Sequence, residues 1–375
     1  MARFIVAAVI LFASLYSVVA TAISANSWNT INIQNNVTFA YLDGGPPSGS
    51  QYTTVIILHG DGFNSNVFTR LIAKAHDFGW RVIAVNRRDY APTTLLSTAE
   101  LAPLSAGYDG EVAFFRQRGK EVGLLIEALI SKHKLPAAQG NIKNHQNGIV
   151  LVGWSLGCVT THAFLANLDA LPTTTLNTLQ KYIHTVLQHD PAQMGWAPPP
   201  QHDLSLWFNP DLHQRFTLFS QWARSFFKHN NTDPKTGNIN DIDFNNPTSK
   251  PPTFSGLSTS VVNTMTDYYP FAYSEMTIIF LAPPSTALLF RRAAFDKTLG
   301  SYLPQVRVRY YSAAETPGIL MWTVWQVQKT IANPSFINGV KARDVKYWIS
   351  PKGNHFVFWD DADWTIGEWI KAINL

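Results

Sequence analysis

Gly148-Ile149-Val150-Leu151-Val152-Gly153-Trp154-Ser155-Leu156-Gly157-Cys158 is the stretch on which the reading of this chain turns. Ile149 to Val152 is a short continuous apolar run of the kind that forms a strand buried on both faces. The run leads directly into a G-x-S-x-G pentapeptide, after which apolar residues recur at three- and four-residue spacing from Leu156 to Leu168, predicting a helix. A strand that turns sharply into a helix brings backbone and side chains too close for a Cβ. Glycines relieve that crowding, and the serine hydroxyl is left exposed above the strand. Unpaired N–H groups at the helix start add positive potential there. The bland reading of the same residues is a tight turn whose serine merely caps the helix.

The same apolar texture recurs on both sides. Thr53–Leu58, Trp80–Val85, Tyr182–Leu187, Val306–Tyr311 and Val345–Ile349 read as further strands. Between them Asn64–Asp77, Glu111–His133, Ile319–Ala332 and Trp364–Ile373 carry helical spacing. Strand alternating with helix predicts an α/β fold: a mostly parallel sheet with flanking helices and right-handed crossovers. One region breaks the alternation. From Pro191 to Pro284 a Pro198-Pro199-Pro200 run, an aromatic helical stretch (Leu204 to Phe227) and a polar tract (Asn230 to Pro252) follow one another. A structureless loop of that length is improbable inside a domain, so residues 191–284 read as a mainly helical cap with a flexible middle. The core is then 23–190 together with 285–375.

Composition narrows the function classes. Apolar residues make up 46% of the 375, which excludes a disordered chain. The net charge of +4 comes without any long basic run, so nucleic acid is not an expected partner. The single cysteine, Cys158, excludes an intramolecular disulfide and a multi-cysteine metal site. It lies three residues beyond Ser155, where a small side chain suits close packing of helix on sheet. Residues 1–22 have the layout of a secretory signal peptide: Arg3, an apolar stretch, then Ala20-Thr21-Ala22 as a small-x-small cleavage site. The reading is a secreted protein with no stable membrane association after cleavage, and a retained signal anchor is the alternative. The sequons Asn36-Val37-Thr38 and Asn230-Asn231-Thr232 suit a glycoprotein.

Two further motifs carry chemistry. Leu58-His59-Gly60-Asp61-Gly62-Phe63 ends an earlier strand, where this architecture takes the second N–H of an oxyanion hole. The expected donors are the main-chain N–H groups of Asp61 and Leu156, while His59 braces the loop. Lys352-Gly353-Asn354-His355-Phe356 follows the last strand, and His355 is the histidine best placed to serve as general base.

The order of these motifs resembles the α/β-hydrolase superfamily, over about Thr53 to Asp190 and Ser285 to Leu375. The resemblance implies Ser155 as nucleophile, His355 as base and later acid, an acidic residue between them in sequence, and no metal or organic cofactor. The superfamily most often takes its acid from the loop after the strand preceding the histidine strand, which favours Glu315. Asp190 is the alternative, and Asp296 a poorer third. Asn86-Arg87-Arg88-Asp89-Tyr90 stands where many members carry Asp-x-Arg-Gly, without its glycine, and reads as support for the oxyanion loop. The implied activity is that of a serine hydrolase acting on a small-molecule carboxylic ester, apolar in its acyl or aryl part, through an acyl-enzyme. A non-catalytic binder of apolar ligands on the same fold stays open. So do a C–C hydrolase, an acyltransferase and a hydroxynitrile lyase, which use the same triad.

Overall fold

A computed structural model describes residues 28–140, 147–192, 195–196, 198–333 and 342–375. The expected signal peptide and its cleavage site after Ala22 lie outside them. Eight strands form one sheet: β1 (Asn29–Asn32), β2 (Thr38–Asp43), β3 (Thr53–Leu58), β4 (Trp80–Val85), β5 (Ile149–Trp154), β6 (Ile183–His189), β7 (Arg307–Ala313) and β8 (Val345–Ser350). Their order across the sheet is β1-β2-β4-β3-β5-β6-β7-β8. The two leading strands pair antiparallel, β1 with β2 and β2 with β4, and every later pairing is parallel. This is the α/β architecture expected, with a serine turn after β5 and an insertion between β6 and β7. The two antiparallel strands are absent from the sequence reading because NTIN alternates polar and apolar residues and the apolar part of TFAYLD is short and flanked by Thr38 and Asp43.

The central parallel strands β3, β4 and β5 are largely apolar on both sides because each feeds two layers. Ile56 and Leu58 of β3, Ile83 and Val85 of β4 and Ile149 and Leu151 of β5 enter one core. The residues between them, Val55, Ile57, Val82, Ala84, Val150 and Val152, enter the other. Helix α1 (Thr69–Lys74) contributes Leu71 to the second core. The long helix α2 (Tyr108–His133), α3 (Gly157–Ala166) and α4 (Thr173–Tyr182) contribute to the first. In the cap, α5 (Leu212–Arg224) sends Phe219 and Ala223 into the second core. Helix α6 (Pro283–Phe295) returns the chain to the body and packs on α3. Helix α7 (Gly318–Ala332) follows β7, and α8 (Ala362–Ile373) closes the second layer with Ile366 and Trp369.

Two expectations change in detail. The helix read over Asn64–Asp77 is α-helical only at α1, with 3-10 turns at Ser65–Phe68 and Ala75–Phe78. Asn64 starts it by accepting the Asn66 N–H on its side chain, and Gly79 ends it at φ +68°. The polar tract 230–252, expected to be flexible, is tied down by turns. The side chains of Asn231, Asp233, Asn238 and Asp243 accept main-chain N–H groups two or three residues on. Ile242 and Phe244 then bury against Met321 and Trp325 of α7, and Trp325 Nε1 donates to Thr232 O at 3.0 Å.

Close helix packing rests on a few glycines. A Cβ on Gly119 of α2 would collide with the carbonyl oxygen of Ala163 in α3. Gly119→Ala is expected to cost about 1–3 kcal/mol through overpacking. Urea unfolding monitored by circular dichroism measures it as a lower midpoint with an unchanged slope.

Candidate active site

Ser155 sits between β5 and α3 at φ +55°, left-handed backbone that a non-glycine residue adopts only where its surroundings enforce it. The enforcement is visible: Ser155 N–H donates to His189 O at 2.9 Å, and Cys158 N–H to Ser155 O at 3.0 Å. Three glycines permit the crossing. A Cβ on Gly153 would lie 2.8 Å from Cys158 N, one on Gly157 would collide with Leu58 O, and one on Gly60 would lie 2.7 Å from the Ser155 Cβ. The loop after β3 and the serine turn therefore pack backbone against backbone. Leu156, the residue after the serine, and Asp61 both line the cavity that Ser155 also lines.

Cys158 is fully buried, and its Sγ–H donates to Gly153 O at 3.1 Å. Burial, reinforced by Asp190, pushes its thiol well above the usual range. Its place is that of a small packing residue. His59 is buried beside Gly60 O (2.9 Å from Nδ1) and accepts Arg87 N–H on Nε2 at 3.0 Å. Burial and the Arg87 charge push it well below the usual imidazole range, so it is a neutral brace.

His355 lies in the loop after β8, with its ring centroid 4.8 Å from that of Trp154, and Trp154 Nε1 donates to His355 O at 3.0 Å. The carboxyl beneath its ring is Asp190, whose Oδ2 accepts from His355 Nδ1 at 3.1 Å. Asp190 ends β6 at φ +44° and is fully buried. Ser312 Oγ (2.8 Å) and Ala313 N–H (3.1 Å) donate to its Oδ1, and Thr316 Oγ1 (2.9 Å) to its Oδ2. Burial alone would raise its pKa. The His355 bond, the His189 and His355 rings and Ser312 outweigh burial and hold Asp190 below the usual carboxylate range.

Glu315, favoured from the sequence, is thereby corrected. Its carboxylate accepts Gly353 N–H at 2.9 Å and its own N–H donates to Gly353 O at 2.8 Å, a clasp on the histidine loop two residues short of the ring. Lys250 approaches the same carboxylate at 3.5 Å. The physical reason is reach. β7 runs on to Ala313, so Ser312 and Thr316 surround Asp190 while Glu315 points past the imidazole to the loop backbone. Asp296 caps the helix Lys297–Tyr302 by accepting Leu299 N–H and is no part of the site.

Ser155 and His355 open onto one cavity of about 230 Å³. Phe63, Trp154 and Ile319 of the body and Trp207, Phe219 and Trp222 of the cap line it. Among the described residues no group of three or more His, Cys, Asp or Glu side chains is placed to hold a metal ion. Sequence reasoning missed Ser312, Thr316, Asn354 and Glu275 as supports. Asn354 Oδ1 accepts Phe356 N–H at 2.9 Å, and its Nδ2 donates to Arg224 O of the cap at 2.8 Å. Its place inside the Gly-Asn-His run was the one signal available.

No protein-family model matches the chain, and no curated protein matches it. Among solved structures it is similar to an esterase from Rhodococcus sp., at 14% identity over 92% of this chain and 98% of that one, with a TM-score of 0.47. A thermophilic esterase from Thermogutta terrifontis matches at 11% identity over 93% and 100%, with a TM-score of 0.45. A variant of an epoxide hydrolase from Vigna radiata matches at 13% over 92% and 98%, with a TM-score of 0.47.

The two carboxyl candidates separate cleanly by substitution. Asp190→Asn should lower kcat by about 10³–10⁴ because the imidazole loses its orientation and the partner for its positive charge. Glu315→Gln, which keeps an acceptor for Gly353 N–H, should lower it by less than about tenfold. Steady-state ester hydrolysis by the two purified variants measures both.

Proposed function

We propose that the protein is a serine hydrolase of carboxylic esters. The observation that carries this reading is the His355–Asp190 pair, buried and fully satisfied at the acid, with His355 lining the same cavity as the left-handed serine turn. His355 Nδ1 is committed to Asp190, which leaves Nε2 to take the Ser155 proton as the hydroxyl attacks the ester carbonyl. Main-chain N–H groups of Asp61 and Leu156 receive the tetrahedral oxyanion, each contributing about 3–4 kcal/mol. His355 then protonates the departing alcohol, and water activated by the same nitrogen releases the acid from Ser155.

The cavity sets the substrate scale. An apolar cavity of about 150 Å³ takes up benzene, so 230 Å³ with an indole-rich lining fits an aryl or a short to medium acyl group. We also propose export through the secretory route. It is supported by the leader-like residues 1–22 and by the exposure of Asn36 and Asn230, the two sequon asparagines.

Labelling with a serine-directed fluorophosphonate should modify Ser155 stoichiometrically, and Ser155→Ala should abolish labelling and lower ester kcat by about 10⁵–10⁶. A Ser155→Ala protein that still turned over esters at the native rate would refute the assignment. A protein bearing glycans on Asn36 or Asn230 when secreted should gain electrophoretic mobility on treatment with an N-glycosidase, and one without glycans should not.

A further inference from the structure

The oxyanion loop is sewn to the cap at two places. Phe63 forms a β-bridge with Thr266, with Asn64 N–H donating to Met265 O and Asp267 N–H to Gly62 O, both at 2.9 Å. The second attachment is Glu275, at the end of the short cap helix Phe271–Glu275. Its carboxylate takes Arg87 Nη2 on one oxygen and the Tyr90 hydroxyl on the other. Arg87 Nη2 also donates to Gly60 O at 2.9 Å, while the Tyr90 hydroxyl accepts Gly62 N–H at 2.8 Å. Gly60 C=O and Asp61 N–H belong to one peptide plane. A guanidinium fixed on the oxygen side therefore aims the N–H to the opposite side, where an oxyanion would sit, and polarises it as a donor.

The seam is short of positive charge. Asp61 and Glu275 are both buried, and the two donors that Glu275 holds lie on the peptides flanking Asp61, Arg87 at Gly60 O and Tyr90 at Gly62 N–H, with Arg87 the cation that reaches them. Glu275 already holds Arg87. Both Asp61 carboxyl oxygens are out of contact with solvent and accept no hydrogen bond. Two ionised carboxylates cannot bond each other, but a protonated one donates to an ionised one.

We propose that Glu275 is a positioning residue for the oxyanion hole, acting through Arg87 on the Gly60–Asp61 peptide, and that it shares one proton with the Asp61 side chain. Release of that proton sets two carboxylates against each other across the seam and loosens cap and loop together. The inference rests on the serine hydrolase reading for its kinetic part only.

The groups facing the pair are known. Asp61 meets Glu275 from the cap and Arg87 and Tyr90 from the loop after β4, while Glu275 also meets Asp89 and Asp267. Burial first, then the Glu275 carboxylate, push Asp61 well above the usual carboxylate range, with Arg87 opposing. Asp267 is likewise pushed up to about 7, chiefly by burial. A carboxyl whose folded pKa is raised contributes stability fully below the unfolded pKa, and that contribution is lost as pH rises toward the folded value. Asp61→Asn keeps a donor to Glu275 with no proton to lose, and Asp267 titrates in both proteins, so it cancels in their difference.

The experiment compares the native full-length chain with Asp61→Asn and Glu275→Gln. The Tm of Asp61→Asn minus that of the native protein should climb by about 1–2 °C for each pH unit above the ordinary carboxylate range. A difference independent of pH would overturn the shared proton. Glu275→Gln should lower kcat by about 10- to 100-fold with KM changed less than about twofold, the split expected when a transition-state donor is misaimed. An unchanged kcat, or a loss confined to KM, would overturn the positioning role. Should Glu275→Gln fail to fold, Glu275→Asp, one methylene short of Arg87, must show the same kcat loss. If the native protein hydrolyses no ester, the serine hydrolase reading fails, and the Tm difference still decides the proton.

Discussion

The crossing of two backbones at Gly60 and Ser155 is the constraint on which the rest depends. A Cβ on Gly60 would come within 2.7 Å of the Ser155 Cβ, so the loop after β3 and the turn after β5 are as close as two chains can lie. That closeness sets the Gly60–Asp61 peptide beside Ser155 through backbone alone, with no side-chain rotamer to be fixed. Parallel pairing of β3 with β5 sets it up, since the register Leu58↔Gly153 brings both strand ends to the same level. The left-handed φ of Ser155 is the local cost, and it is met by buried main-chain bonds to β6 and α3.

Burying a carboxylate is the second requirement, and Asp190 meets it by being surrounded before any substrate arrives. An unpaired buried carboxylate would take up a proton. Ser312, Ala313, Thr316 and His355 instead supply donors from two elements, so the charged form is the favoured one. His189 makes the opposite choice beside it. Buried among Tyr311, Phe358 and Trp369, it is pushed down to about 3 by burial and His355 and stays neutral, so the site carries one stable charge at its base.

The sequence discloses those parts of the site whose spacing is local. G-x-S-x-G, His-Gly-Asp-Gly and Gly-Asn-His each lie within one turn, and their glycines record backbone crowding directly. Strands buried on both faces were legible for the same reason, since Val55–Leu58 and Val82–Val85 are apolar at every position. The acid was not legible as a choice between Asp190 and Glu315. Both end strands, and only the three-dimensional extent of β7 decides which carboxyl lies under the imidazole. The first two strands escaped because antiparallel edge pairing tolerates polar residues such as Asn29 and Thr38. Partners 188 residues apart, such as Arg87 and Glu275, leave no trace in any window of the chain.

The cap is accordingly bonded to the loops around Ser155 and His355 as well as being a cover for the cavity. Arg224 O holds Asn354 beside the histidine, the stretch from Thr264 to Asp267 holds the loop after Asp61, and Glu275 holds the cation beneath it. A lid that moved as one body would break all three sets of bonds together and would disassemble the site it uncovers. Trp207 and Phe208 on the other side of the cavity belong to a short 3-10 turn, and Phe208 is 65% exposed. Trp207 packs its ring on Phe219 and Trp222 of α5, so the cap supplies this wall of the cavity as it supplies the bonds to the loops around Ser155 and His355.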